Sequence, residues 1–256
     1  MNASVVVDMG NSRVKWGRVA GHAVVDAVAL PIDEPATWQA QLDRWGLLEP
    51  VSWLLAGVNP ERQNRLAAWL RGCGQRVAFL DDWRRLPLKA KLEYPERAGM
   101  DRLLIAVAAN ARRVPNTPAV LVGAGTAVTV DWLDADGAFC GGAIVPGFHM
   151  MARALHEHTA LLPLIEIPTA PPPIPGDSTP AAMQAGVFWS VAGGVGALID
   201  RLIEGTQQTP QLFLTGGDAG LLDQALRVCR PSSQRTAIVW PWMTLEGIRL
   251  TAESLP

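Results

Sequence analysis

Ser4-Val5-Val6-Val7-Asp8-Met9-Gly10-Asn11-Ser12-Arg13-Val14-Lys15 opens the chain with a pattern that returns in its second half. There it reads Ala119-Val120-Leu121-Val122-Gly123-Ala124-Gly125-Thr126-Ala127-Val128-Thr129-Val130-Asp131. Each stretch is a short apolar run, a small-residue turn and a second apolar run, the signature of strand, tight turn and strand. In the first copy the strand ends on a carboxylate.

Working outward, Val14, Trp16 and 23–25 read as further strands of a meander, 34–45 as a helix and 51–57 as a buried strand. Residues 59–71 read as a helix with Asn59 as its cap ahead of Pro60. Residues 77–80 read as a strand and 101–113 as a helix preceded by Gly99. After the restart, 127–132 and 137–144 read as strands and 149–156 as a helix. The proline-rich stretch 163–175 reads as extended chain. Beyond it come a long helix over 179–203, a strand over 211–215, a strand over 237–240 and a helix over 244–254. The pattern predicts an α/β protein of two halves, 1–115 and 116–256, duplicated in architecture.

Four segments carry possible chemistry. Asp8 to Lys15 places a carboxylate at a strand end, where it can hold hydrated Mg²⁺. It is followed by a turn whose Gly10 lets backbone N–H groups approach a phosphate, with Asn11 and Ser12 as neutral donors and Lys15 as a charge. An ordinary hairpin fits the same residues. Gly123 to Asp131 repeats the logic with Gly125 and Thr126, and again a plain hairpin fits. Gly99-Met100-Asp101-Arg102 sets an acid and a base at a helix start, which the helix dipole alone would explain. Thr215-Gly216-Gly217-Asp218 follows a strand, and its glycines permit close contact with a planar ligand. No dinucleotide fingerprint, phosphate-binding loop of the G-x-x-x-x-G-K type or nucleophile elbow is present.

Composition removes other classes. Among 256 residues the net charge is −2, and the densest basic group, Arg84, Arg85, Lys89 and Lys91, is broken by Leu and Pro, so no nucleic-acid footprint is expected. Three scattered cysteines, Cys73, Cys140 and Cys229, point to a reducing compartment. Asp8 interrupts the first apolar run, and no uninterrupted apolar run of about 18 residues occurs; the expectation is a cytoplasmic protein without a membrane partner. His22, His149, His156 and His158 read as surface or packing residues rather than metal ligands.

The segments fall in a specific succession. It runs Asp8-x-Gly10-Asn11-Ser12-x-x-Lys15, Gly99-x-Asp101-Arg102, Gly125-Thr126-Ala127-x-Thr129-x-Asp131 and Gly141-Gly142-Ala143-Ile144-x-Pro146-Gly147. It continues as Thr159-Ala160-x-Leu162-Pro163, Thr179-x-x-Ala182-x-x-x-Gly186 and Thr215-Gly216-Gly217-Asp218. As a set, over nearly the whole chain, it resembles type III pantothenate kinases. The resemblance implies the actin-like, ribonuclease H-like fold of acetate and sugar kinases, with two duplicated domains, each a mixed five-stranded sheet flanked by helices. It implies transfer of the γ-phosphoryl group of ATP to the primary hydroxyl of pantothenate, the first step towards coenzyme A, by a homodimer that uses Mg²⁺ and commonly K⁺ or ammonium.

Carried over by position, Asp8, Gly10, Asn11, Ser12 and Lys15 serve the phosphates, with Asp8 at the Mg²⁺. Asp101 is the general base, Gly99, Met100 and Arg102 hold pantothenate, and Arg102 meets its carboxylate. Gly125 and Thr126 meet ATP, Gly216 and Gly217 lie by the adenosine, and Thr179 reaches the substrate from the neighbouring subunit. Two positions depart from the pattern. The family usually carries Asp, for the monovalent cation, where this chain has Gly123, so a weak or absent K⁺ requirement, or reduced activity, is expected. A usual Tyr is replaced by Leu92; either the substrate packs differently or Tyr94 substitutes. These departures keep three alternatives open: a binding or regulatory protein of the same fold, a kinase of another small alcohol, and an actin-like ATPase.

Overall fold

The computed structural model describes residues 3–229 and 236–255. Both repeats fold as strand, turn and strand. In the first, Val5–Met9 (β1) pairs antiparallel with Val14–Ala20 (β2), and β2 with Ala23–Leu30 (β3). Helix Pro35–Trp45 (α1) leads to Ser52–Gly57 (β4), which lies parallel to β1 on its other side. Helix Pro60–Gly72 (α2) crosses over to Arg76–Phe79 (β5), and helix Met100–Arg112 (α3) closes this part of the chain. The sheet order is β3-β2-β1-β4-β5.

The second repeat has Ala119–Ala124 (β6), Ala127–Leu133 (β7) and Phe139–Pro146 (β8), then helices Phe148–Glu157 (α4) and Thr179–Ile203 (α5). Gln211–Thr215 (β9), helix Ala219–Cys229 (α6), Ile238–Val239 (β10) and helix Met243–Ser254 (α7) follow. Read from β8, its sheet order is β8-β7-β6-β9-β10. Strand for strand this is the first sheet again: a central first strand, an antiparallel meander of the next two strands on one side and two parallel strands on the other. The two halves are therefore duplicated in topology.

The compact units are 1–112 with 242–256, and 113–241. The halves expected from sequence, 1–115 and 116–256, differ from them in one element: α7 belongs with the first unit. The cause is a close approach that only glycine allows. A Cβ on Gly247 would run into the Leu104 carbonyl of α3, so α7 and α3 lie backbone to backbone. Leu245 of α7, Val6 and Val24 crowd the face of Gly17, where a Cβ would lie 3.0–3.1 Å from each.

Side-chain alternation along β1 gives it two faces. Val5, Val7 and Met9 pack with Trp16, Trp53 and Leu55 in one core; Val6 and Asp8 point to the α3 and α7 side. Five tryptophans, Trp16, Trp38, Trp45, Trp53 and Trp69, take part in this packing: Trp16 meets Trp53 edge-on at 4.9 Å and Trp38 meets Trp69 at 5.4 Å.

In the second unit α5 is long and apolar enough, by length and composition, to cross a membrane. Its residues Met183, Val187, Val191, Val195 and Ile199 recur at helical spacing and are buried against the sheet with Val120, Val122 and Val130. It is the core helix of this unit. The sequence reading leaves 219–229 without an element, whereas the structure has α6 there, burying Leu222, Ala225 and Leu226.

Candidate functional site

Asp8 is the penultimate residue of β1, 3% exposed. In the antiparallel register it stands directly opposite Lys15 of β2, and cross-strand neighbours of opposite charge pair. Lys15 Nζ lies 2.9 Å from Asp8 Oδ2. The β1–β2 turn between them is closed by Gly10 N–H donating to the Arg13 carbonyl at 3.1 Å, and Asn11, Ser12 and Arg13 are exposed on it. Behind the turn, β4 comes very close. Gly57 has φ +155°, and a Cβ there would run into the Met9 carbonyl.

Asp101 is the second residue of α3. Its Oδ1 accepts from the Arg102 backbone N–H at 2.9 Å, so the carboxylate folds back over the helix start. Gly99 makes room for that, since a Cβ there would sit 2.5 Å from Asp101 Oδ1. Burial pushes the Asp101 carboxyl above its ordinary range, and the Asp8 charge pushes it the same way. The Arg102 N–H, Lys15 and the Arg102 guanidinium pull back without cancelling the rise. Lys15 is held above its ordinary value, chiefly by Asp8 against the cost of burial, with Asp101 adding to the effect. Asp8, Lys15 and Asp101 thus form one electrostatic cluster, assembled from a strand end, its hairpin partner and a helix start. A carboxylate of raised proton affinity beside a cation and a second carboxylate can accept a proton.

The second unit builds its glycine turns around one stretch of backbone. Gly216, φ +101°, packs so that a Cβ would strike the Ala124 carbonyl, and the Asp218 N–H donates to that carbonyl at 3.2 Å. Gly147 donates its N–H to the Thr126 carbonyl at 3.0 Å, and a Cβ on it would strike the Gly125 carbonyl. Gly125, Thr126, Gly216 and Gly217 are thereby brought together at the ends of β6 and β9. Asp218 is pushed above the usual carboxylate range by burial, opposed by His149. A Gly216→Ala substitution imposes a left-handed φ and a collision on one residue. It is expected to cost about 1–3 kcal/mol, a drop in melting midpoint of about 2–4 °C per kcal/mol, measurable by calorimetry.

Other residues singled out from sequence sit differently. Tyr94 is 48% exposed, and the Arg97 guanidinium lies 4.7 Å over its ring. Thr179 is exposed on the first turn of α5, whose cap is Ser178. Sequence reasoning missed Gly57, Gly147 and Arg62. Their signals were a glycine closing the strand beside β1, a glycine opening α4, and a basic residue in the first turn of a capped helix.

The family model for type III pantothenate kinase matches residues 4–201. A type III pantothenate kinase from Pelobacter propionicus is 34% identical, covering 97% of this chain and 98% of its own length. One from Geotalea daltonii is 29% identical, covering 96% of both. Among solved structures, the activator of the 2-hydroxyisocaproyl-CoA dehydratase from Clostridium difficile, with bound ADPNP, superposes with TM-score 0.56 at 14% identity. That alignment covers 98% of this chain and 95% of the other. The (R)-2-hydroxyglutaryl-CoA dehydratase component A from Acidaminococcus fermentans gives TM-score 0.53 at 13% identity and 98% coverage of both. These likenesses show the fold.

Proposed function

The chain belongs to the type III pantothenate kinase family, and from that premise we propose that Asp101 is the base and Asp8 to Lys15 the phosphate-binding segment of its reaction. As a member it is a kinase that phosphorylates pantothenate in coenzyme A synthesis, with ATP and a divalent metal. The observation that carries the assignment of roles is the charge cluster of Asp8, Lys15 and Asp101.

The primary hydroxyl oxygen of pantothenate attacks the γ-phosphorus, the bond to the ADP oxygen breaks, and the hydroxyl proton passes to Asp101. Phosphoryl transfer asks for positioning and charge neutralisation more than covalent help. A carboxyl whose proton affinity is raised suits a base that receives its proton as the new bond forms. Arg102 meets the pantothenate carboxylate, where a guanidinium fork matches two oxygens. Gly125, Thr126, Gly216 and Gly217 receive the nucleotide.

Among the described residues no group of three or more His, Cys, Asp or Glu side chains forms a metal cage. The residues present fit Mg²⁺, which takes one or two carboxylates and completes its shell with substrate phosphates and water. Asp8 would hold it. When bound, the ion supplies charge that offsets the negative charge of the phosphates. Gly123, paired with Thr129 and Thr215 in the sheet, has no side chain to offer a monovalent cation. Titration with K⁺ is expected to leave the rate nearly unchanged; strong saturable activation would contradict this.

The reading includes a cytoplasmic homodimer with Thr179 near the partner's substrate. Exposed apolar side chains in the second unit support it, Ile144 on β8, Met150 on α4, and Leu161 and Leu164 beyond. Sedimentation at twice the chain mass is the expected result. The whole reading is tested by product analysis. With MgATP and pantothenate, each ADP released is matched by one phosphomonoester on the primary hydroxyl. Inert pantothenate and efficient phosphorylation of another small alcohol would overturn it.

A further inference from the structure

We propose that Gly247 is a positioning residue for the reaction, one that sets where α7 lets the start of α3, and with it Asp101, settle beside Asp8 and Lys15. The inference rests on the reading of Asp101 as the base. Gly247 lies in the interior of α7, where a glycine weakens a helix relative to alanine. The helix itself gives no reason for a glycine here; α3 does. A Cβ on Gly247 would strike the Leu104 carbonyl oxygen and lie 2.7 Å from the carbonyl carbon and 3.0 Å from the Cα. These are backbone atoms, which no side-chain rotation can move aside. Leu104 stands one turn beyond Asp101 in α3, and residues at that spacing share a helix face. Gly247 thus bears on the turn of α3 that carries the acid.

Which helix yields to an added methyl group follows from what holds α7. Glu246 Oε1 accepts from the backbone N–H of Val24 in β3 at 3.1 Å, and its Oε2 accepts from Arg249 Nε at 2.6 Å. Arg249 is buried and its Nη1 lies 2.8 Å from Glu253 Oε1, which in turn lies 2.9 Å from His22 Nδ1 at the β2–β3 turn. On the sheet side Leu245 is fully buried beside Gly17, Val6 and Val24. Charged bonds and packing therefore pin α7 to the β2–β3 hairpin. The start of α3 opens from Gly99, and its carboxylate folds back onto its own backbone. A methyl group at 247 displaces α3 rather than α7. Asp8 and Lys15 are held by the β1–β2 ladder and keep their places, so the displacement separates Asp101 from them. A misplacement of about 1 Å at a reacting group can cost about 10²-fold in rate.

Gly247→Ala is tested by steady-state kinetics, alone and in the Asp101→Asn background. Leu70→Ala serves as the control, because it opens a cavity in the core on the other face of β1, which holds no residue of α3 or α7. At saturating substrates kcat of Gly247→Ala is expected to fall about 10–100-fold, with KM for MgATP near wild type. In Asp101→Asn the same methyl group should lower kcat little further, since the displaced side chain no longer accepts the proton. In the unliganded protein the Asp101 and Arg102 amide resonances should shift while those of Asp8 and Lys15 hold. Unchanged kcat in Gly247→Ala overturns the proposal. So does a loss of equal size in the Asp101→Asn background, and so does an equal loss in Leu70→Ala, which would assign the effect to stability. If Gly247→Ala yields no folded protein, Glu246→Ala takes its place, since it frees α7 from Val24 without adding an atom. A fall in kcat of about threefold, absent in Asp101→Asn, is then expected, and unchanged kcat overturns the proposal. If the wild-type chain does not phosphorylate pantothenate, the reading of the reaction fails, while the amide resonances still decide whether Gly247 sets the start of α3.

Discussion

Asp101→Asn is expected to lower kcat by about 10²–10⁴-fold, the usual worth of a positioned general base, with both KM values close to wild type. Asparagine is nearly isosteric and its Oδ1 can still accept from the Arg102 N–H, so the helix start is kept. What is lost is the proton acceptor. The same substitution is expected to make the protein more stable at neutral pH. The folded-state pKa of Asp101 is raised by burial and by Asp8, so its ionised form is disfavoured by folding. The stability linked to this group is fully present below the unfolded carboxylate range and is lost as pH rises through the folded pKa. Asn carries no charge and escapes that loss. The gain in melting midpoint of Asp101→Asn over wild type should therefore be clear at pH 8 and vanish as pH falls below about 4. Calorimetry across that range reads it, and a variant less stable than wild type at pH 8 would contradict the electrostatic picture.

Asp8→Asn is expected to act on two levels. In the folded protein it leaves Lys15 without the partner that accounts for most of its raised pKa. Breaking a fully buried pair costs about 3–5 kcal/mol; the Lys15 side chain is 25% exposed, so about 1–3 kcal/mol is expected here. In the reaction it removes the carboxylate assigned to the Mg²⁺-bound phosphates, and kcat/KM for MgATP should fall by about 10²–10³-fold. A further sign follows: without the Asp8 charge, the pKa of Asp101 drops towards its ordinary value. Direct titration of the Asp101 carboxyl by NMR in the unliganded protein would show a lower midpoint in Asp8→Asn than in wild type. An unchanged or higher midpoint would mean that the two carboxylates do not interact as described.

Much of this was legible in the sequence because the duplicated strand–turn–strand units are local. The Val5 to Lys15 hairpin announces itself by β-branched residues on either side of Gly10. Its antiparallel register then dictates the Asp8–Lys15 pair with no help from the rest of the chain. Asn59 before Pro60 likewise fixed the start of α2. The long helix over 179–203 was readable from an uninterrupted periodicity.

What escaped depended on contacts between distant residues. The terminal helix joins the first unit because Gly247 meets Leu104, and no local pattern carries that information. The Arg62 to Asn11 bond spans distant segments in the same way. The missed helix over 219–229 had apolar positions at 222, 225 and 226, but Gly216, Gly217 and Gly220 disguised its start. At the site, sequence supplied Asp8, Gly10, Asn11, Ser12, Lys15, Gly99 and Asp101 as separate segments. The gathering of Asp8, Lys15 and Asp101 into one charge cluster needed the sheet and α3 in place.

The most direct test of the central claim is ADP release by the wild-type chain with Mg²⁺, in the presence and absence of pantothenate, beside Asp101→Asn. The account expects release that requires pantothenate in wild type and nearly disappears in the variant. Pantothenate-independent release at equal rates in both proteins would mean an ATPase in which Asp101 accepts no substrate proton, and would contradict it.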